Sequence, residues 1–227
     1  MNELLWLGFL VIDLSVMLLL FRLFGKIGLY VAITYSVILC NIQVLKTVEL
    51  FGLTATLGNV LYGSVFLATD ILGEIYGKRE ARKGVMVGFF ALLIMTFYML
   101  YALQFKPAPS DFVQPHLEAI FLPMPRIALA SLTAYLLSQL HDVWAFHFWK
   151  EKTKGKYLWL RNNLSTAVSQ LIDSVVFCLI AFFGVFELRV WWDILLTTYI
   201  LKLFVALGDT PFIYLARRIG GRVHEAS

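Results

Sequence analysis

Residues 164–186 read LSTAVSQLIDSVVFCLIAFFGVF. At 1.5 Å per residue this run is long enough to cross a bilayer core of about 30 Å. Its only charge is Asp173. The preceding apolar run, 126–148, reads RIALASLTAYLLSQLHDVWAFHF, and the two share a polar string. One copy is Ser138, Gln139, Leu140, His141, Asp142; the other is Ser169, Gln170, Leu171, Ile172, Asp173. A carboxylate, an amide and a hydroxyl at membrane depth are costly unless they face a protein interior or a water-filled cavity. The same set occurring twice points to a polar site for a small solute.

The composition of the chain agrees with that reading. Of its 227 residues, 60% are hydrophobic and 15% charged, and the mean hydropathy is +0.78. Soluble domains are about 45–50% apolar and about 25% charged. The chain therefore reads as one integral membrane domain, all-α, with little left for a soluble part. The net charge of +4 is gathered in short links, as topology signals are, so nucleic acid is not an expected partner. Cys40 and Cys178 both lie in apolar runs, which argues against a disulfide framework. The start, Met1-Asn2-Glu3, lacks a basic region and reads as a retained helix.

Seven segments are long and apolar enough to span: 4–24, 29–47, 53–76, 84–105, 126–148, 164–186 and 192–216. Asn59, Asp70 and Glu74 interrupt the third, and its Gly52, Gly58, Gly63 and Gly73 allow close packing or a break. Basic residues cluster in alternate links: Arg22 and Lys26; Lys78, Arg79, Arg82 and Lys83; Lys150, Lys152, Lys154, Lys156 and Arg161; Arg217, Arg218 and Arg222. The positive-inside rule then predicts the N-terminus outside and the C-terminus in the cytoplasm of an inner-membrane, multi-pass protein. The outer link 106–125 holds five prolines and reads as an irregular loop with one short surface helix. Trp149, Tyr157, Trp159, Trp191 and Trp192 sit at segment ends as interfacial anchors.

Helical spacing sets the candidate contacts. Gln139 lies three residues before Asp142, and Gln170 three before Asp173, so each amide shares a face with its acid. In antiparallel spans both strings fall at similar depth. Asp70 and Glu74 share a face, as do Lys202 and Asp209. Plainer roles stay open beside these. Asp70 and Glu74 suit a cap or a pairing with Lys78 and Arg79. Lys202 and Asp209 suit each other as a structural pair. His141 points off the Gln139–Asp142 face and suits packing or solvation. Asn162 and Asn163 suit the cap of the sixth span, with Asn163 also a candidate contact.

Motifs for other chemistry are absent from the sequence. It has no G-x-x-x-x-G-K-[ST] loop, no H-E-x-x-H, no G-x-S-x-G and no closely spaced Cys/His ligands. No cofactor or metal is expected.

Four strings make the chain resemble the vitamin-uptake transporter family whose best-known members are queuosine-precursor transporters (the YhhQ group). They are FLATDILGEIYGKREARK (66–83), RIALASLTAYLLSQLHD (126–142), LWLRNNLSTAVSQLIDSVVF (158–177) and YILKLFVALGDTPFIY (199–214). The resemblance implies a six-helix core over about 28–218, preceded by an extra helix within 1–27. It also implies import of 7-cyano-7-deazaguanine, 7-aminomethyl-7-deazaguanine or queuine. A carboxylate could accept the two adjacent donors of a deazaguanine, its ring N1–H and exocyclic amine, while an amide meets the ring carbonyl. Asp173, Gln170, Asp142 and Gln139 are the leading substrate contacts. Asp70, Glu74, Lys202, Asp209 and Asn163 follow, and Phe177 or Tyr135 could stack on the ring. The expected partners are the small-molecule substrate and the lipid bilayer. A homo-oligomer, or an ATPase partner for which this chain would be the substrate-binding subunit, stays open. So does a membrane enzyme using Asp173 or His141 in acid–base work.

Overall fold

The computed structural model describes residues 1–153, 158–208, 211–212, 214–216 and 218–219. Lys154, Lys156, Tyr157, Asp209, Arg217 and Arg222 lie outside the described residues. Long apolar runs form helices because a backbone surrounded by lipid must satisfy its hydrogen bonds within the segment. The described chain runs α1 (Asn2–Phe24), α2 (Lys26–Gln43), β1 (Thr47–Leu50), β2 (Leu53–Thr56), α3 (Asn59–Ile71) with a π turn (Leu72–Tyr76), α4 (Lys78–Ala102), α5 (Gln114–Phe121), α6 (Met124–Lys152), α7 (Leu158–Phe182) and α8 (Leu188–Gly208). It is an all-α polytopic bundle with one small hairpin. Helix α5 is the short helix expected in the proline-rich link.

Among the described residues, four stretches are long and apolar enough to cross a membrane by length and composition: Asn2–Phe24, Lys26–Gln43, Arg79–Ala102 and Gln114–Ser138. Their outer faces stay apolar. Leu4, Val11, Ile12 and Leu23 on α1, and Phe90, Ile94 and Phe97 on α4, are all exposed. A continuous apolar surface of this kind is rare on a soluble monomer and suits lipid. The chain is a multi-pass membrane protein.

The expected third span, 53–76, is not one helix. Its first residues pair with Thr47–Leu50 as an antiparallel hairpin, Leu50 opposite Leu53. The turn Phe51-Gly52 has positive φ at both residues, 53° and 76°, as a two-residue type I′ turn requires. Phe51, unusual there, donates its N–H to Glu3 Oε1 at 3.1 Å. The chain re-enters at Gly58, φ 96°, where a Cβ would lie 2.6 Å from the Cys40 carbonyl oxygen. Only then does α3 begin. The hairpin is rich in β-branched and apolar residues, so hydropathy alone cannot separate it from the flanking helices. For the same reason α2 stops at Gln43, short of the expected Thr47.

The helices pack as two groups. One core joins Leu10, Leu14, Met17 and Phe21 of α1 with Leu29 and Ile33 of α2, Leu67 and Ile71 of α3, and Leu201 and Val205 of α8. Helix α1 is thus built into the core, with Met17 and Phe21 fully buried. The other core joins Ile127, Ala130 and Ala134 of α6 with Cys178 and Ala181 of α7, and Trp191 and Ile194 of α8. Helix α8 belongs to both groups, and Lys202 lies where one gives way to the other. A Cβ at Gly63 would sit 2.0 Å from Val205 Cγ1, so glycine sets the close approach of α3 to α8.

Candidate functional site

Helices α6 and α7 run antiparallel, and four side-chain contacts fix their register. Arg126, at the start of α6, donates from Nε to the Ile180 carbonyl of α7 (2.5 Å) and from Nη2 to the Phe183 carbonyl just past its end (2.6 Å). Further along, Ser138 Oγ donates to Asp173 Oδ1 at 3.4 Å. His141 Nδ1 lies 3.0 Å from Ser169 Oγ. The two polar strings therefore meet, the first residue of one beside the last of the other.

Asp173 is the centre of the site, with only 1% of its surface exposed. Tyr62 of α3 donates its hydroxyl to Oδ1 at 3.1 Å. Lys202 of α8 donates to Oδ2 and forms a salt bridge with it. The Lys202 ammonium also lies over the Tyr62 ring, 4.4 Å from its centroid, and 6.0 Å from that of Phe177. Ring faces carry negative potential and attract such a cation. Burying an ion pair seldom adds net stability over apolar packing.

A cavity of about 40 Å3 opens beside this pair, at the seam of the two groups. Cys40, Asn41, Thr56, Asn59 and Tyr62 come to it from one group, and Ser131, Asp173 and Phe177 from the other. Asn41 ties the two together: its Nδ2 donates to the Val37 carbonyl at 2.8 Å, and its Oδ1 accepts from Ser131 Oγ at 2.9 Å. Gly58 and Asn59, at the start of α3, also line the cavity. The break before α3 thus turns the positive end of a helix dipole toward a polar pocket at membrane depth. Two lining hydroxyls, Thr56 Oγ1 and Thr198 Oγ1, are buried with no hydrogen-bond partner among the described residues. Buried polar groups are normally paired, so each orphan calls for an explanation. A polar solute in an enlarged form of this cavity would supply one.

The remaining expected contacts fall elsewhere or outside the described residues. Lys202 engages Asp173; Asp209, its expected structural partner, lies outside the described residues. The side chains of Gln139, Asp142, Glu74 and Asn163 also lie outside them. Gln170 is half-buried and its Oε1 has no partner among the described residues, but it does not line the cavity. Asp70 is exposed near the end of α3. Tyr62, Thr56, Thr198 and Ser131 were not singled out from the sequence. Tyr62 carried one signal, its place three residues after Asn59 on the same face of α3.

Comparison with known proteins places the chain. A family model described as "Putative vitamin uptake transporter" matches residues 56–216. A Bacillus subtilis (strain 168) protein named "Probable queuosine precursor transporter" is 47% identical over 219 residues, covering 96% of each chain. That alignment takes in most of α1. A Haemophilus influenzae protein with the same name is 31% identical, over 69% of this chain and 66% of its own. An Escherichia coli (strain K12) "Queuosine precursor transporter" is 28% identical over 74% of each. No solved structure matches the chain. The chain belongs to the vitamin uptake transporter family that this model describes.

Proposed function

We propose that this protein imports a queuosine precursor, a 7-deazaguanine base, across the inner membrane, and that Asp173 reads its guanine-like edge. The observation that carries the reading is the buried Asp173–Lys202 pair beside a polar cavity between two helix groups. The names of the relatives supply the substrate class. The adjacent N1–H and amine of a deazaguanine match the two oxygens of one carboxylate. Lys202 holds the carboxylate while no ligand is bound, then turns to the ring carbonyl. Phe177 and Tyr62 offer faces to the ring. Asn41, Asn59, Thr56 and Thr198 meet the remaining polar atoms, and the two orphan threonine hydroxyls gain partners.

Pockets for small ligands commonly measure roughly 300–1,000 Å3, against about 40 Å3 here. The two helix groups must part along the seam to admit the base, which is the motion alternating access requires. Gln170, Gln139 and Asp142 would complete the walls of the open form, with Asp70, Glu74, Asp209 and Asn163 as further charge and hydrogen-bond partners. The whole chain acts as one membrane domain, N-terminus outside and C-terminus in the cytoplasm, on the strength of its basic links. The base passes through unchanged.

Counterflow in proteoliposomes tests this reading. Vesicles loaded with unlabelled 7-cyano-7-deazaguanine should take up the labelled base and return it chemically intact. Chemical conversion of the base would favour a membrane enzyme. A strict need for ATP and a second chain would favour a substrate-binding subunit. The absence of any uptake by folded protein would remove the assignment.

A further inference from the structure

A second carboxylate is buried in this membrane domain, and the site above does not use it. Asp13 lies at the midpoint of α1 (Asn2–Phe24), about 16 Å of helix from either end at 1.5 Å per residue. Only 4% of its surface is exposed. Ser64 of α3 and Tyr35 of α2, the latter at 3.3 Å, donate their hydroxyls to it. Asp173 has a lysine; Asp13 has no cationic partner among the described residues. On α1 the nearest charges are Glu3 and Arg22, near opposite ends of the helix. Helix α2 presents Tyr35 and, further along, the Cys40 thiol; α3 presents Ser64. β1 meets the start of α1, where Asn2 donates to the Glu49 carbonyl. Helix α8 touches α1 where Leu10 approaches Gly208. Its Lys202 is held by Asp173, and Asp209 lies outside the described residues.

An unpaired carboxylate at mid-membrane depth is expensive as an anion and inexpensive as an acid. Its two hydroxyl partners serve either form: both donate to the anion, and one can accept from the acid. The group is therefore built to change its charge. It is also joined to the substrate site through one element, because α3 carries Ser64 to Asp13 and Tyr62 to Asp173. That helix is a short unit, with the Gly58 break before it and a π turn after it, so it can move as a body.

We propose that Asp13 carries the coupling proton, making this protein a symporter of one proton with each neutral base. Asp13 Oδ takes a proton from the more acidic aqueous phase and the acid forms. In the other state the proton leaves to the opposite phase and the carboxylate is restored. No bond of the base forms or breaks, and one positive charge crosses per cycle. The inference rests on the transport reading above.

The test uses full-length protein in proteoliposomes with labelled 7-cyano-7-deazaguanine, a pH-sensitive dye inside the vesicles, and two assays: counterflow without a gradient, and uptake under an inside-alkaline gradient. Absence of counterflow in the wild type would overturn the transport reading itself. With counterflow present, one-to-one coupling should sustain about tenfold accumulation per pH unit, since a tenfold ratio corresponds to about 1.4 kcal/mol. Base addition should acidify the lumen. Asp13→Asn should keep counterflow and lose both responses. Ser64→Ala, a milder change, removes a donor that favours the anion, so the pH profile of uptake should move upward. Uptake by the wild type that ignores the gradient, retained coupling in folded Asp13→Asn, or an unmoved profile in Ser64→Ala would each overturn the proposal.

Discussion

Tyr62 and Ser64, two residues apart on α3, hydrogen-bond to two different buried carboxylates, Asp173 on α7 and Asp13 on α1. Successive helical positions two apart point in well-separated directions, so α3 reaches both helix groups at once. A shift of α3 cannot leave either carboxylate undisturbed. The arrangement makes this 13-residue helix the mechanical link between the two acids.

Lys202→Met should be strongly destabilising. It removes the cation from a carboxylate that stays buried, and breaking a buried pair costs about 3–5 kcal/mol. Asp173→Asn in the same chain should recover much of that loss, because the uncompensated charge is gone. Thermal unfolding in detergent of both single variants and the double measures the coupling. Additive losses would show that the two side chains do not act as a pair.

Gly63→Ala should loosen the contact between α3 and α8. The new Cβ meets Val205 Cγ1 at 2.0 Å, and overpacking of this kind costs about 1–3 kcal/mol. Adding Val205→Ala opens the space and should restore part of the stability. An unchanged unfolding temperature in Gly63→Ala would contradict the packing described.

Thr198→Val separates folding from binding. It deletes a buried hydroxyl that has no hydrogen-bond partner among the described residues and keeps the side-chain shape. Stability should hold or rise, while affinity for the base should fall by about 0.5–1.5 kcal/mol, the worth of one neutral hydrogen bond. A stability loss with unchanged affinity would mean that the hydroxyl serves the fold.

Reporter fusions after Gly77 and at Ser227 should both report the cytoplasmic side, as the basic links Lys78–Lys83 and Arg217–Arg222 require. An external signal after Gly77 would show that the hairpin and α3 together return to the side they left.

Much of this was legible in the sequence, and the limits have physical causes. The cost of a polar group in hydrocarbon marked the duplicated string, and antiparallel neighbours made its copies meet at Ser138–Asp173 and His141–Ser169. The same cost applied to Asp13, which passed unremarked in the first apolar run although its position alone argued for a function. The hairpin was hidden because its β-branched and apolar residues continue the hydropathy of the helices around it. Spacing along one helix offered Lys202 only Asp209, which lies outside the described residues, and gave no sign of Asp173 on a different helix. The contact of Tyr62 with Asp173 was hidden likewise: it spans 111 positions and leaves no local pattern.

The central claim is that Asp173 reads the guanine-like edge of the transported base. The most direct test is equilibrium binding of 7-cyano-7-deazaguanine to purified wild type and Asp173→Asn, with folding verified for both. The asparagine sets a donor against a ligand donor, and the account predicts a loss of about 2–4 kcal/mol, a charged hydrogen bond plus an unsatisfied group. An analogue lacking the exocyclic amine should bind the wild type poorly and lose little more in the variant. Unchanged affinity for the native base in well-folded Asp173→Asn would contradict the account and leave Asp173 a structural partner of Lys202.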